Sequence, residues 1–334
     1  MEFTEYPDLA SERLGGRVLA ANDEFFAPKE NLIKLSAPVF DEDKFTDRGK
    51  WMDGWETRRR RGPGHDWCIL QLGLPGRIRG VVVDTSFFRG NFPEHASIEA
   101  CSFEGALPPE TLESRAAQWI EILPKSPLRG DTKNLFATAL PDRFTHLRLR
   151  IYPDGGIARL RVHGEVLPDW AALLRGGEID LAALASGGLV IASSDMFFSS
   201  CGNLILPGAS AAMYDGWETR RRRGPGHDWA VIRLGARGRI YRVEVDTSFF
   251  KGNFPESCSL ESCSSPGEFA DETSTVHLPW REILPRSALR ADARHVFEKE
   301  LQSPGEATHL RLNIYPDGGV ARLRAFGTLA AKQK

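Results

Sequence analysis

Polar and apolar positions alternate along much of the chain with a period of two. In residues 145–152, Leu147, Leu149 and Ile151 alternate with Arg148, Arg150 and Tyr152. In 308–315, Leu310, Leu312 and Ile314 alternate with Arg311, Asn313 and Tyr315. A third run sets Ala158, Leu160 and Val162 against Arg159 and Arg161. Such runs predict half-buried antiparallel strands. The PDGG that follows Tyr152 predicts a tight turn between two of them, with glycine free to take positive φ. WCILQLG, IRGVVVD, SIEACSF and WIEILP add short strands broken by Gly and Pro. Many short strands at regular spacing predict an antiparallel β-sandwich, with helix a minor component. Only LPDWAALLRGGEI, after Val166, has a helix-like apolar spacing.

The pattern occurs twice. DGWETRRRRGPGHDW spans Asp53–Trp67 and returns unchanged at Asp215–Trp229. VDTSFFRGNFPE at Val83–Glu94 returns at Val245–Glu256 with Lys251 in place of Arg89. The offset is the same for both, since 215 − 53 and 245 − 83 give 162. IYPDGGIARLR at Ile151–Arg161 returns as IYPDGGVARLR at Ile314–Arg324. Upstream, DLASERLGGRV and DLAALASGGLV align at offset 172, so the first copy carries ten extra residues before Asp53, in a polar loop. So long a period marks a duplicated domain and not a solenoid array. The expected domains are 1–167 and 168–334, each long enough to bury its own core.

Composition narrows the function classes. A formal net charge of −2 over 334 residues is not that of a polyanion binder. The basic run is flanked by Asp53, Glu56 and Asp66 and lacks a wide basic field with stacking aromatics, so nucleic acid is not an expected partner. The N-terminal stretch does not read as a signal peptide, and no apolar run reaches the roughly 20 residues of a membrane span. The five cysteines are odd in number, and only Cys101 and Cys263 match between copies. They read as free thiols of a cytoplasmic protein.

The repeated blocks hold the candidate chemistry. Arg58–Arg61 and Arg220–Arg223 read either as solvated loop rims or as anion-recognition forks, which bind carboxylate bidentately as lysine does not. His65 with Asp66, and His227 with Asp228, sit on a glycine-rich turn just before a strand. A histidine beside a carboxylate serves proton transfer, or it caps a loop. Asp84, Thr85, Asn91 and Glu94 leave a buried strand for a loop, where they would accept from an NH-rich ligand or satisfy local backbone. Phe87, Phe88 and Phe92 read as packing, His146 and His309 as structural. His65, Asp66, Asp84 and Glu94 are ligand types for a divalent metal, yet no spacing singles out a set. The cofactor is left unknown.

The paired DGWETRRRRGPGHDW and VDTSFFxGNFPE blocks, with the closing YPDGGxARLR, resemble the allantoicase family over nearly the whole chain. The resemblance implies an all-β protein of two tandem antiparallel β-sandwiches of jelly-roll, galactose-binding-like type. It implies hydrolysis of allantoate to ureidoglycolate and urea. Allantoate carries one carboxylate and two ureido groups on a single carbon, so the charge types pair with it. Arg58, Arg59 and Arg60, with Arg220, Arg221 and Arg222, would hold the carboxylate. Glu56, Asp84, Asn91 and Glu94, with Glu218, Asp246, Asn253 and Glu256, would accept ureido N–H groups. His65, Asp66, His227 and Asp228 would manage the proton. A homo-oligomer is expected of a metabolic enzyme of this shape, although no sequence feature carries that expectation. A carbohydrate-binding pair of sandwiches and a different ureide hydrolase stay open as alternatives.

Overall fold

The computed structural model describes residues 2–103, 118–265, 278–302 and 305–330. The chain divides into two compact units, Glu2–Leu167 and Pro168–Lys334. Each is an antiparallel β-sandwich built around one long strand. In the first unit this strand is Asp66–Asp84. Its opening residues, Asp66 to Gln71, lie between Arg17–Ala21 and Phe144–Tyr152, and the layer continues through His95–Cys101 to Ile120–Pro127. From Gly76 onward it lies between Lys133–Ala137 and Arg159–Val166. One strand therefore serves both layers.

The sequence reading expected WCILQLG and IRGVVVD as separate strands, and the structure joins them. The register breaks between Gln71 and Gly76, but the backbone stays extended. Glycine makes this bend feasible: a Cβ on Gly76 would lie 2.2 Å from the Glu165 carbonyl oxygen. The PDGG segment also differs from expectation. The strands on either side of it pair with opposite halves of the long strand and not with each other. PDGG is thus a crossing between layers. Gly155, at φ 135°, sits where a Cβ would meet the Asn91 carbonyl oxygen at 2.7 Å.

The second unit repeats the plan with Asp228–Asp246 as its long strand. Leu189–Ser193 and Ala307–Tyr315 flank the first half; Arg294–Phe297 and Arg322–Leu329 flank the second. The α-helix Trp170–Arg175 begins at Asp169, whose carboxylate accepts from the Ala172 amide at 3.0 Å. In the loop with the ten extra residues, a short hairpin pairs Phe45–Thr46 with Gly49–Lys50. Among the described residues no helix is long and apolar enough to cross a membrane.

Alternation buries Leu147, Leu149, Ile151, Leu160 and Val162 completely. Phe88 packs with Met52 and Ala158, and Phe87 and Phe92 close over them, as the packing reading expected. The five thiols are free and buried. Burial pushes Cys101 and Cys258 up to about 12, which keeps them from acting as nucleophiles. His146 and His309 are buried against Thr145 and Thr308, in line with their structural reading. Among the described residues, each unit buries an arginine–aspartate pair. Arg159 donates to the Asp53 carboxylate at 2.7 Å, and Arg322 to Asp215 at 3.1 Å.

Candidate active site

The arginine loop is fixed by what precedes it. Trp55 is fully buried and donates its indole N–H to the Asp23 carbonyl oxygen at 2.8 Å. An indole removes on the order of 200 Å² from water, worth at most about 5 kcal/mol at about 25 cal/mol per Å². Thr57 Oγ1 accepts from the Gly155 amide at 3.1 Å. Beyond it, Asp23 accepts from the Arg58 amide at 2.6 Å and meets its guanidinium at 3.1 Å. Asp154 accepts from the Arg60 amide at 2.8 Å. Two carboxylates thus hold the backbone of a run whose side chains repel one another. Arg60 then reaches Asp66 Oδ1 at 2.5 Å, which Asn22 also meets at 2.8 Å.

These groups line a cleft of about 280 Å³, formed by Asn22, Asp23, Arg58 to Arg61, Gly62, Pro63 and Asp66. Asp66 is 1 % exposed, and its Oδ2 has no hydrogen-bond partner. A buried carboxylate oxygen left unpaired is costly, so the cleft holds a strong unused acceptor beside arginine donors. Arg59 and Arg61 have no ion-pair partner among the described residues.

No hydrogen bond joins His65 to the Asp66 carboxylate, whose charge only partly opposes the lowering of the imidazole. The His65 ring lies 5.1 Å from that of Tyr152, whose hydroxyl meets Ser97 Oγ at 3.0 Å. Lys125 Nζ lies 4.6 Å from the Tyr152 ring centroid. Burial, then the nearby Arg150 and Arg60 charges, hold His65 below the usual imidazole range, so it is neutral near pH 7. Arg148 and Arg150 share Glu99, at 2.6 and 2.9 Å.

The remaining candidates scatter. Asn91 donates to Glu56 at 2.7 Å, and Asn253 to Glu218 at 2.6 Å. Burial raises the Glu56 carboxyl, only partly opposed by that bond. Asp84 is spent on its own turn, accepting from the Ser86 amide and hydroxyl at 2.9 and 2.6 Å. Asp246 does the same with Ser248. Glu94 is exposed, and among the described residues Glu256 meets Arg286 at 3.8 Å. Neither Asp84 nor Glu94 lines the cleft. Among the described residues, no three of His, Cys, Asp and Glu gather into a metal-ligating set, so the suggested donors do not fit one.

The second unit repeats the frame. Asp195 meets Arg220 at 2.9 Å, Asp317 accepts from the Arg222 amide at 2.7 Å, and Arg222 pairs with Asp228. Arg221 is exposed. His227 lies 4.8 Å from Tyr315. Ser194 replaces Asn22, accepting from the Trp229 amide at 2.9 Å and donating to Asp228 at 3.0 Å. The sequence reading missed Asp23, Asp154, Tyr152 and Arg150 as neighbours of the loop. A signal for the first three existed, because each recurs unchanged in the second copy as Asp195, Asp317 and Tyr315.

Fold and loops together define a duplicated all-β protein of the jelly-roll sandwich class. The allantoicase repeat model matches residues 7–167 and 179–330. An allantoicase of Dictyostelium discoideum is 50 % identical over 96 % of this chain and 86 % of its own. A probable allantoicase of Burkholderia mallei is 48 % identical over 98 % of this chain and 96 % of its own. The crystal structure of allantoicase from Saccharomyces cerevisiae superposes with a TM-score of 0.79 at 38 % identity, over 96 % of this chain and 93 % of that one. The chain belongs to the allantoicase family.

Proposed function

We infer that the protein is an allantoicase, a hydrolase that converts allantoate and water to ureidoglycolate and urea. Near-half identity to allantoicases over nearly the whole of this chain and most of each relative carries this reading. The site we propose for the reaction is the arginine loop with the histidine beside it. The observation that supports this placement is the unpaired, buried Asp66 Oδ2 in a cleft lined by Arg58 to Arg61. That combination suits a ligand with both a carboxylate and ureido N–H groups.

In the proposed reaction, Arg60 and its neighbours bind the carboxylate and Asp66 Oδ2 accepts from a ureido N–H. Neutral His65 takes a proton from water as its oxygen bonds to the central carbon. The C–N bond to one ureido group breaks, and the imidazolium returns the proton to the departing nitrogen, releasing urea. Water supplies the hydroxyl of ureidoglycolate, so atoms and charge balance. Glu56, with its raised carboxyl, is a second proton carrier of the right type. The five buried free thiols favour a cytoplasmic location, and assembly into a homo-oligomer completes the reading. Urea release from allantoate by the purified protein, with ureidoglycolate as a parallel substrate, tests it. Urea from allantoate is expected; release from ureidoglycolate alone would assign a different ureide hydrolase.

A further inference from the structure

The two units share the loop, the histidine and the tyrosine, but not the charge beside them. In the first unit, Glu99 faces two cations, Arg148 and Arg150. In the second, the matching Glu261 faces one cation, Arg311, and one amide, Asn313 Nδ2 at 2.9 Å. Around Glu99 two arginines and one glutamate leave a charge of +1; around Glu261 one arginine and one glutamate leave none, and the second unit's extra cation, Arg233, stands further along the strand, opposite His309. The unbalanced charge is partly desolvated, with Arg150 27 % and Arg148 14 % exposed at the side chain. A cation in that setting gains most from an anion that arrives as ligand. Glu99 takes only one of Arg150's terminal nitrogens at the 2.9 Å contact, which leaves other N–H donors of the fork for a carboxylate. Arg150 shares a strand face with Tyr152, whose ring lies 5.1 Å from that of His65, so the anion would lie near the proposed proton carrier. Asn313 offers no such charge. It is 3 % exposed, and its Oδ1 meets no partner.

We propose that Arg150 is the residue that makes the first unit the carboxylate-binding, catalytic half, and that Asn313 leaves the second unit without that specificity. The proposal rests on the allantoicase reading above. The substrate class it assigns to the first unit is a small carboxylate bearing ureido groups.

The test compares Arg150→Asn, which copies the second unit, with Arg150→Lys and Asn313→Ala, using urea release from allantoate. Loss of one charged fork should raise KM on the order of 10- to 100-fold. The product urea has no carboxylate, so its inhibition constant, measured on both proteins, should be the same for Arg150→Asn and the wild type; a merely structural role would shift both constants together. Arg150→Lys keeps the charge without the fork and should fall between. Asn313→Ala should leave KM within about twofold. If Arg150→Asn proves unstable, Arg150→Lys with a wild-type melting profile and unchanged KM overturns the proposal. So does Arg150→Asn with KM within twofold of wild type, or a KM increase in Asn313→Ala as large as that in Arg150→Asn. A wild-type protein that releases no urea would overturn the activity reading first, and the proposal with it.

Discussion

The two units carry the same fifteen-residue loop, braced in the same way, in different electrostatic surroundings. Asn22 becomes Ser194, Gln71 becomes Arg233, Lys125 becomes Arg286 and Arg150 becomes Asn313, while Trp55, Asp23, Asp154 and Tyr152 are matched exchange-free. The frame that shapes the loop is therefore common, and the differences fall on groups around the histidines. A duplicated domain supplies its own control: groups that only one unit has are the ones that can confine chemistry to that unit.

The largest effect concerns what they share. Asp53→Ala would strand Arg159, which is 1 % exposed, and should cost about 3–5 kcal/mol in a denaturant melt. The carboxyl of Asp53 is held below the usual range: burial alone would raise it, but the Arg159 hydrogen bond prevails. Asp215→Ala should cost as much, and a clear inequality would show that the frames are not energetically alike.

Next comes a difference that pH can expose. Burial, then the Arg233 charge, hold His309 at about 4, against about 6.5 unfolded. The unfolded chain takes up the proton first as pH falls. Stability is therefore full above about pH 6.5, lost as pH falls towards 4 and level below, for about 3 kcal/mol in all. His146, paired in register with Gln71, is lowered by burial without that neighbouring arginine. His309→Gln should flatten the acid limb of the melting profile, and an unaltered limb would refute the assignment.

Within the cleft, Asp66→Asn removes the unpaired acceptor and should lower kcat/KM for allantoate about 10- to 100-fold. An equal loss in Asp228→Asn would erase the proposed distinction between units. The smallest effect is at the rim. Arg58 is 64 % exposed, so Asp23→Ala should cost about 1 kcal/mol or less, as should Asp195→Ala. A cost of several kcal/mol would mean that the loop folds only with its carboxylate brace.

Much of this was legible in the sequence because period-two alternation and verbatim repeats are local signals. Leu147, Leu149 and Ile151 point inward as their spacing requires, and the minor share of helix followed from the same pattern. The continuous strand Asp66–Asp84 was not legible, since Gly73, Pro75 and Gly76 read as breaks; only partners on both layers keep the backbone extended there. The braces were hidden by distance, Asp23 lying 35 residues from Arg58 and Asp154 lying 94 from Arg60. Local pattern carries no information on such pairings. Asp84 looked like a ligand group because its type and place fit, yet a serine two residues on claims it.

The long strand also orders events in time. Its first half waits for Arg17–Ala21, already made, and for Phe144–Tyr152; its second half waits for Arg159–Val166, the last strand of the first unit. Pairings of such sequence separation close slowly. On the ribosome, the first unit can complete neither layer until almost all of its chain has emerged, and its arginine loop has only the Asp23 brace until Asp154 arrives. The hydrophobic strands made before then are the stretch most in need of protection from neighbouring nascent chains.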